Sequence, residues 1–316
     1  MSMTITPEEI RHLLQGYSHI LLTAHVNPDG DAIGSLAAMQ DYLDRLGKQV
    51  VTVVDDDIDD KFFFLPGVSR FKKPSAVHTD DSWLTVILDA TSADRCGAAE
   101  SLIHGAVLNI DHHISNAHFA RYEYVRPECA ATGEILTQLF LAWGDGLNQA
   151  EAMALYMAIA TDSGFFKFSN TTGQTLRMAA ALVDAGAMPH VISEHLEAQS
   201  LIKLHALSEV LKHIELFGDN KVAGITFSPD VLKYTGEHTG GYIDYARTVK
   251  GVDVAFTVKY ISDEETRVSL RSKKADVNAI AAVFGGGGHV RAAGCTIGAP
   301  LEKAKKMLIK EILKTV

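Results

Sequence analysis

Short apolar segments alternate with helical segments from residue 19 onward. The segments HILLTAH, QVVTVVD, WLTVILDA and AVLNIDHH read as β-strands, and a helical pattern that ends at Gly47 separates the first two. This alternation is typical of crossover connections around a largely parallel sheet. We therefore predict an α/β fold for residues 1–190, with a mostly parallel sheet flanked by helices.

The pattern changes after the segment LFGDN. KVAGITF, VDVAFTVKYI and TRVSLRS read as strands, the last two joined by an acidic turn, and helices follow at about 277–284 and 300–315. We expect a smaller α/β domain with a mixed sheet at 217–316. A helical linker at 191–216 would join it to the first domain.

Composition narrows the functional classes. The 316 residues are 47% hydrophobic and carry a net charge of −10, which argues against binding long double-stranded nucleic acid. No segment is long and apolar enough for a membrane span, and the N-terminus lacks a signal-peptide pattern, so we expect a cytoplasmic protein without a membrane partner. Three distant cysteines give neither a disulfide framework nor a zinc knuckle.

Carboxylates and imidazoles stand where four of the predicted elements end. Ligands of open α/β sheets bind at the carboxyl ends of the strands. Without cysteine, this ligand set suits manganese, magnesium or iron better than structural zinc, and six ligands fit two ions that share a carboxylate. The candidate ligands are His25, Asp29, Asp31, Asp89, His112 and Asp162.

Each of these residues also has an ordinary structural interpretation. Asp29 or Asp31 could be a turn former or the N-cap of a helix, and Asp89 could cap a strand end. His112 alone could be a core histidine with satisfied hydrogen bonds. The metal interpretation depends on all four segments together.

A glycine run, GGGGH at 285–289, is the second notable feature. It lacks the spacing of a phosphate-binding P-loop and follows a helix, so its simplest explanation is a helix stop. Four glycines in succession instead suggest close approach of a ligand to the backbone, where bare N–H groups can form an anion-binding nest. Arg271 could add a bidentate phosphate contact.

The motifs HVNPDGDAIGS, LDATSADR, DHHISN and ATDSGFF, in this order, resemble those of the DHH phosphoesterases. The segments VSLRS and AAVFGGGGHVRAAGC resemble the DHH-associated domain found in one branch of that family. The resemblance implies one metal held by His25, Asp29 and Asp89. It implies a second held by Asp31, Asp89, His112 and Asp162, with manganese the expected ion and magnesium the alternative.

The resemblance also implies roles for residues outside the metal set. Asp111 and His113 would act in catalysis, orienting ligands and stabilising charge on the reacting phosphate. The C-terminal domain would grip the substrate. The expected substrate-binding residues are Asn116, Arg271, Gly286, Gly287, Gly288, His289 and Arg291.

The implied activity is that of a phosphoric ester hydrolase. Within the family the likeness is greatest to stand-alone enzymes that degrade very short oligoribonucleotides and remove the 3′-phosphate from adenosine 3′,5′-bisphosphate, using water activated by two metals. Hydrolysis of cyclic or linear dinucleotides is an alternative, and a non-catalytic nucleotide sensor is an alternative of another class. The oligomeric state, including a homodimer, is left open.

Overall fold

The computed structural model describes residues 2–236 and 239–316 and divides into two compact units, Met1–Ala198 and Gln199–Val316. The first unit contains a six-stranded sheet in which all strand pairs are parallel, as predicted. Its spatial order is β1-β6-β5-β4-β2-β3. The strands are β1 (Met3–Thr4), β2 (His19–Thr23), β3 (Gln49–Val53), β4 (Leu84–Leu88), β5 (Ala106–Asp111) and β6 (Tyr122–Val125).

Helices cover the sheet because parallel strands are apolar on both faces. Ile20, Val86 and Ile110 are fully buried against the helices, while Leu21 and Ile87 pack into a separate cluster on the opposite face. Local signals set the helix starts; Thr6 and Glu9, for example, form a capping box before α1. The helices are α1 (Pro7–Gly16), α2 (Gly30–Arg45), α3 (Thr132–Trp143), α4 (Gln149–Asp162), α5 (Gly173–Asp184) and α6 (Pro189–Glu197).

The strand order explains where a site can form. The chain passes from β2 to β3 on one side, and from β4 through β5 to β6 on the other. The order therefore reverses between β2 and β4, which are hydrogen-bonded neighbours. Such a reversal opens a crevice at the carboxyl ends of the strands, where α/β proteins bind their ligands.

The second unit contains a mixed six-stranded sheet, in the order β11-β12-β10-β9-β8-β7, as predicted. Within the described residues of this second sheet, β8 and β9 are the only strand pair that runs parallel. Val254, Phe256 and Leu270 are buried with α10 and α11. The elements are α7 (Leu201–Leu211), β7 (Ile214–Phe217), β8 (Val222–Phe227), α8 (Pro229–Thr235), α9 (Tyr242–Thr248), β9 (Val254–Ser262), β10 (Glu265–Ser272), α10 (Val277–Val283), β11 (Gly287–His289), β12 (Ala292–Ile297) and α11 (Leu301–Ile312).

The segment expected to be a continuous helical linker, 191–216, is interrupted. Helix α6 ends at Glu197, and Ser200 caps a new helix by accepting a hydrogen bond from the Lys203 amide. The end of the segment belongs to strand β7, which pairs with β8. Pairing with a neighbouring strand decided the conformation here, against the local helical pattern. The predicted domain limits at 190 and 217 stay predictions.

None of the helices within the described ranges has both the length and the apolar character needed to cross a bilayer.

The contact between α2 and α4 gives a test of the first unit. A Cβ added at Gly34 would lie 2.4 Å from the carbonyl oxygen of Ala154, a backbone atom that cannot move aside. We expect Gly34→Ala to lower the free energy of unfolding by roughly 1–3 kcal/mol, measured by urea denaturation. Gly16→Ala is the control, because Gly16 ends α1 with no atom near its Cβ position. Equal midpoints for the two variants would contradict this close helix approach.

Candidate metal centre

His25 opens the cluster directly after strand β2. Its Nδ1 lies 2.8 Å from the carbonyl oxygen of Val26, which can only accept, so Nδ1 carries the proton in this hydrogen bond. Its Nε2 lies 3.5 Å from Asp89 Oδ2 and 3.9 Å from Asp29 Oδ1. The ring is thus held with Nε2, the nitrogen that could bind a metal, directed at two carboxylates.

Asp29 has two functions in the fold. Its Oδ1 accepts hydrogen bonds from the amides of Asp31 and Ala32 at 3.0 and 3.1 Å, so it is the N-cap of α2. The same oxygen lies within reach of His25. The ordinary interpretation of Asp29 as a cap is confirmed, and it does not remove Asp29 from the cluster, because the same oxygen lies 3.9 Å from His25 Nε2.

Asp31 is buried and fixed by backbone donors. Its two oxygens accept hydrogen bonds from the amides of Thr132 at 2.6 Å and Gly133 at 2.8 Å, and Ser35 Oγ donates at 3.1 Å. The amides belong to the first turn of α3, whose partial positive charge favours a carboxylate there. Sequence reasoning missed Thr132 and Gly133, since only the folded chain brings α3 to Asp31.

Asp89 lies at the centre of the cluster, one residue after β4. Its φ of 55° is in the left-handed region, which costs a residue other than glycine roughly 1–2 kcal/mol. Its Oδ1 accepts a hydrogen bond from Thr132 Oγ1 at 3.0 Å and lies 3.5 Å from His112 Nε2. Strain at this position directs the carboxylate toward both imidazoles, His25 and His112.

The six predicted ligands converge in two adjoining groups. His112 Nε2 lies 3.3 Å from Asp162 Oδ2 and 3.8 Å from Asp31 Oδ2. His25, Asp29 and Asp89 form one group in which the candidate ligand atoms lie within 4.8 Å of one another, and Asp31, His112 and Asp162 form a second. A third group, Asp89, His112 and His113, adds a residue that was not predicted as a ligand. Such a cluster can hold a metal ion, and four carboxylates with two imidazoles fit the ligand preference of manganese or magnesium.

The electrostatics of the cluster reflect crowded negative charge. Burial and the neighbouring carboxylates of Asp89 and Asp162 raise the pKa of Asp31 well above its usual value. Burial likewise raises the pKa of Asp162 to about 6, with Asp89 adding to the effect. Burial lowers the pKa of His25, but its hydrogen bonds to Asp29 and Asp89 outweigh that and raise it to about 10. Protons thus compensate charge that a cation would otherwise neutralise.

A second hydrogen-bond network lies beside the metal ligands. His113 Nδ1 donates to Asp111 Oδ1 at 2.7 Å and also lies 3.7 Å from Asp89 Oδ1. Burial raises the pKa of Asp111, but the hydrogen bonds from His113 and Asn116 outweigh it and lower the pKa below the usual value. Asn116 is only 7% exposed, and its amide also donates to Asn109 Oδ1 at 2.8 Å. Asn116 is therefore placed to orient Asp111, and this burial does not favour the predicted contact with substrate.

Of the glycine run, Gly287 and Gly288 belong with His289 to the edge strand β11, and Gly285 and Gly286 connect α10 to this strand. The glycines have structural reasons of their own, since Gly285 ends α10 with a φ of 73°. A Cβ at Gly286 or Gly288 would lie within 2.5 Å of a carbonyl oxygen of β12. Gly287 has no such constraint, since its Cβ position meets nothing closer than Asn278 Oδ1 at 3.8 Å. Of the four, Gly287 best fits close approach by a ligand.

Register places Arg271 and His289 on one face of the second sheet. Both pair with Ala292, so they occupy the same row two strands apart, a spacing of about 10 Å. Arg271 is half-buried and His289 is exposed, with the small residue Ala292 between them. The Arg291 guanidinium donates to the carbonyl oxygens of Lys274 and Ala275, and Arg271 Nη1 donates to the carbonyl oxygen of Leu270 at 3.0 Å. Arg271 and His289 thus lie on the same face of the sheet, and their binding of substrate stays a prediction.

Proton release gives a test of the metal centre. We expect divalent cations to bind more tightly as the pH rises from 6 to 8, because His25, with a pKa of about 10, must lose its proton before Nε2 can bind an ion. Calorimetric titration with MnCl₂ in two buffers of different ionisation enthalpy counts the released protons. His25→Ala should release about one proton fewer per chain. His190→Ala, an exposed histidine of α6, is the control and should match the unmodified protein. Manganese binding without proton release would contradict a protonated His25 in the metal-free protein.

Comparisons with known proteins agree with this arrangement. The model of the DHH family, N-terminal domain, matches residues 19–161, and that of the DHHA1 domain matches residues 226–316. The bifunctional oligoribonuclease and PAP phosphatase NrnA of Thermus thermophilus is 30% identical, over 93% of this chain and 89% of the relative. The protein of the same name from Bacillus subtilis is 24% identical, over 92% of each chain.

The fold has a solved counterpart as well. The crystal structure of an exopolyphosphatase-related protein from Bacteroides fragilis superposes with a TM-score of 0.86 at 23% identity, covering 98% of this chain and 97% of that chain. At this identity the likeness shows the fold alone. The motif order, the metal centre, the two matched domains and the 30% identity together show that the chain belongs to the DHH family and carries a C-terminal DHHA1 domain.

Proposed function

We propose that this DHH-family chain is a metal-dependent phosphoesterase that hydrolyses short oligoribonucleotides and the 3′-phosphate ester of adenosine 3′,5′-bisphosphate. The observation that carries the proposal is the convergence of four carboxylates and two imidazoles in two adjoining groups at one sheet edge. The relatives named as oligoribonuclease and PAP phosphatase support this choice of substrates. The net charge of −10 also favours small substrates over long nucleic acid.

The ligand groups suggest how two ions would be held. His25, Asp29 and Asp89 would hold one, and Asp31, Asp89, His112 and Asp162 the other, with manganese the favoured ion and magnesium the alternative. Bound divalent ions would supply Lewis-acid stabilisation of the phosphoryl oxygens and make water more acidic at neutral pH. The shared position of Asp89 follows from its location between the two imidazoles.

His113 is the residue best placed to contact the reacting phosphate. Its side chain is 41% exposed, while its Nδ1 is fixed by Asp111. The hydrogen bond to Asp111 raises the pKa of His113, so the ring is more readily protonated than an ordinary histidine. A protonated Nε2 could donate to a phosphoryl oxygen and stabilise the negative charge that develops there. Asp111 would orient this ring, with Asn116 holding Asp111 in turn.

The DHHA1 domain would bind the non-reacting part of the substrate. Arg271 and His289 offer donors in one row of the sheet, and Gly287 beside them offers bare backbone. A guanidinium can bind a phosphate with two parallel hydrogen bonds, which gives orientation as well as affinity. We propose that Arg271 is the principal phosphate contact of this domain.

The central test is turnover in the presence of manganese. We expect phosphate release from adenosine 3′,5′-bisphosphate and mononucleotide release from a diribonucleotide. Asp89→Ala should lower kcat by more than about 100-fold with the fold retained, because Asp89 lies 3.5 Å from both His25 and His112 and would be shared by the two ions. Asp94→Ala is the matched control, since Asp94 lies exposed in the same sequence motif. Tight binding without turnover in the unmodified protein would instead favour a nucleotide sensor.

Arg271 gives a separate test of the DHHA1 domain. We expect Arg271→Ala to raise KM for the bisphosphate by about tenfold with little change in kcat, because a charge-assisted contact to a non-reacting phosphate is lost. Arg267→Ala is the control, on the same strand and exposed. Steady-state kinetics of the two variants decide the matter. An unchanged KM would remove Arg271 from the binding surface.

A further inference from the structure

A cavity of about 510 Å³ opens beside the metal ligands in the first unit, and Asp29 belongs to its lining. Its volume is in the usual range for small-molecule sites. One part of the wall is apolar and includes Pro28, Phe62, Phe165 and Leu196. The cavity and the candidate metal centre therefore share Asp29.

The rest of the wall is acidic. Asp56, Asp57 and Asp59 line it beside Asp29. Asp59 pairs with Lys61 at 3.2 Å and Asp57 with Lys73 at 2.8 Å, so four carboxylates stand against two lysines. Asp56 accepts a hydrogen bond from the Asn27 amide, which holds the acidic loop against the loop that follows β2. An excess of negative charge repels phosphate groups. It favours a neutral ligand that presents N–H donors, since ionised carboxylates only accept hydrogen bonds.

Backbone strain fixes the aromatic side of the cavity. Gly164, Phe165 and Phe166 follow one another in the left-handed region, with φ of 58°, 55° and 62°. Residues other than glycine rarely adopt left-handed backbone angles, and such strained positions cluster at functional sites. Phe166 packs against the core beside Tyr156, whereas Phe165 lines the cavity. The turn thus directs one ring inward and the other toward the cavity, directly after the predicted ligand Asp162.

We infer that this cavity binds the nucleobase of the nucleotide whose phosphate reacts, with the ring stacked on Phe165 and its amino group facing the aspartates. The inference rests on the proposed function. A planar base is the part of a nucleotide that matches both walls, since every base has a π-face and adenine, guanine and cytosine carry amino donors. The phosphate would remain at the metal centre, on the other side of Asp29.

Kinetics with manganese present and three substrates would test this: adenosine 3′,5′-bisphosphate, the same bisphosphate of purine riboside, and the base-less 1,4-anhydroribitol 3,5-bisphosphate. We expect Phe165→Ala to raise KM for the adenosine compound by about tenfold, as for loss of one base–aromatic contact. Its kcat/KM for the base-less compound should stay within about twofold. The purine riboside bisphosphate, which lacks the amino group, should bind the unmodified protein several-fold more weakly than the adenosine bisphosphate.

Two further variants serve as controls. Phe165→Leu keeps an apolar side chain in the strained turn and should show the same dependence on the base. Phe63→Ala removes an exposed ring nearby that does not line the cavity, and should match the unmodified protein. Equal losses on the base-bearing and base-less compounds would make Phe165 structural and overturn the inference, as would no loss on either. Equal binding of the adenosine and purine riboside bisphosphates would show that the aspartates do not contact the base.

The two proposals fail in different ways. Turnover of the bisphosphate by the unmodified protein tests the phosphoesterase, whereas the ratio between base-bearing and base-less compounds tests the cavity. If turnover is absent, calorimetric binding of the same compounds to the same variants still gives that ratio. A base-dependent ratio supports the cavity, and a ratio of one overturns it.

Discussion

Repulsion between buried carboxylates is the constraint around which the first unit is arranged. Asp31 and Asp89 are each only 1% exposed, and both approach His112 within 4 Å. Like charges held this close in a partly buried site repel, because little solvent screens them. The fold holds them together because their positions belong to rigid neighbouring elements at one edge of the sheet. A divalent cation converts this repulsion into attraction, so the same arrangement that destabilises the metal-free protein favours metal binding.

Helix N-termini offset part of this cost. The first turn of α3 donates two amides to Asp31, and the first turn of α2 donates two to Asp29. Each brings partial positive charge to a carboxylate without adding a titratable group. The pKa of Asp31 nevertheless stays raised, with burial the largest cause and Asp89 next. Backbone dipoles therefore stabilise the cluster in part and leave a deficit of positive charge for a cation to fill.

The sequence was informative where one physical rule linked position to place. Asp89 and His112 follow predicted strands, and the carboxyl ends of parallel strands meet at one edge, so their convergence could be predicted without the structure. The amides of Thr132 and Gly133 could not be predicted in this way, because nothing local to α3 indicates that its first turn faces Asp31. The same holds for Asn116, whose burial depends on Asn109 and Asp111 in β5.

Segments with two plausible local structures were decided by pairing. The glycine run was compatible with a turn or a nest, but antiparallel pairing with β12 placed Gly287 and Gly288 in a strand, and close backbone approach accounts for Gly286 and Gly288. The segment 214–217 was compatible with the end of a helix, but it forms strand β7 because it pairs with β8. In both cases the deciding partner lies elsewhere in the chain, where periodicity within a window carries no information.

The candidate ligands differ in how far their side chains are exposed to solvent. Asp31 is buried under α3, whereas the Asp29 side chain is 55% exposed and borders the cavity that Phe165 lines. Solvent therefore reaches the cluster at Asp29, and also at Asp162, whose side chain is 29% exposed. The cap that Asp29 forms on α2 keeps this exposed carboxylate fixed, because two amide hydrogen bonds restrain a side chain that would otherwise move freely in water. Asp29 thus stabilises the start of α2 and also fixes an exposed carboxylate of the candidate metal centre.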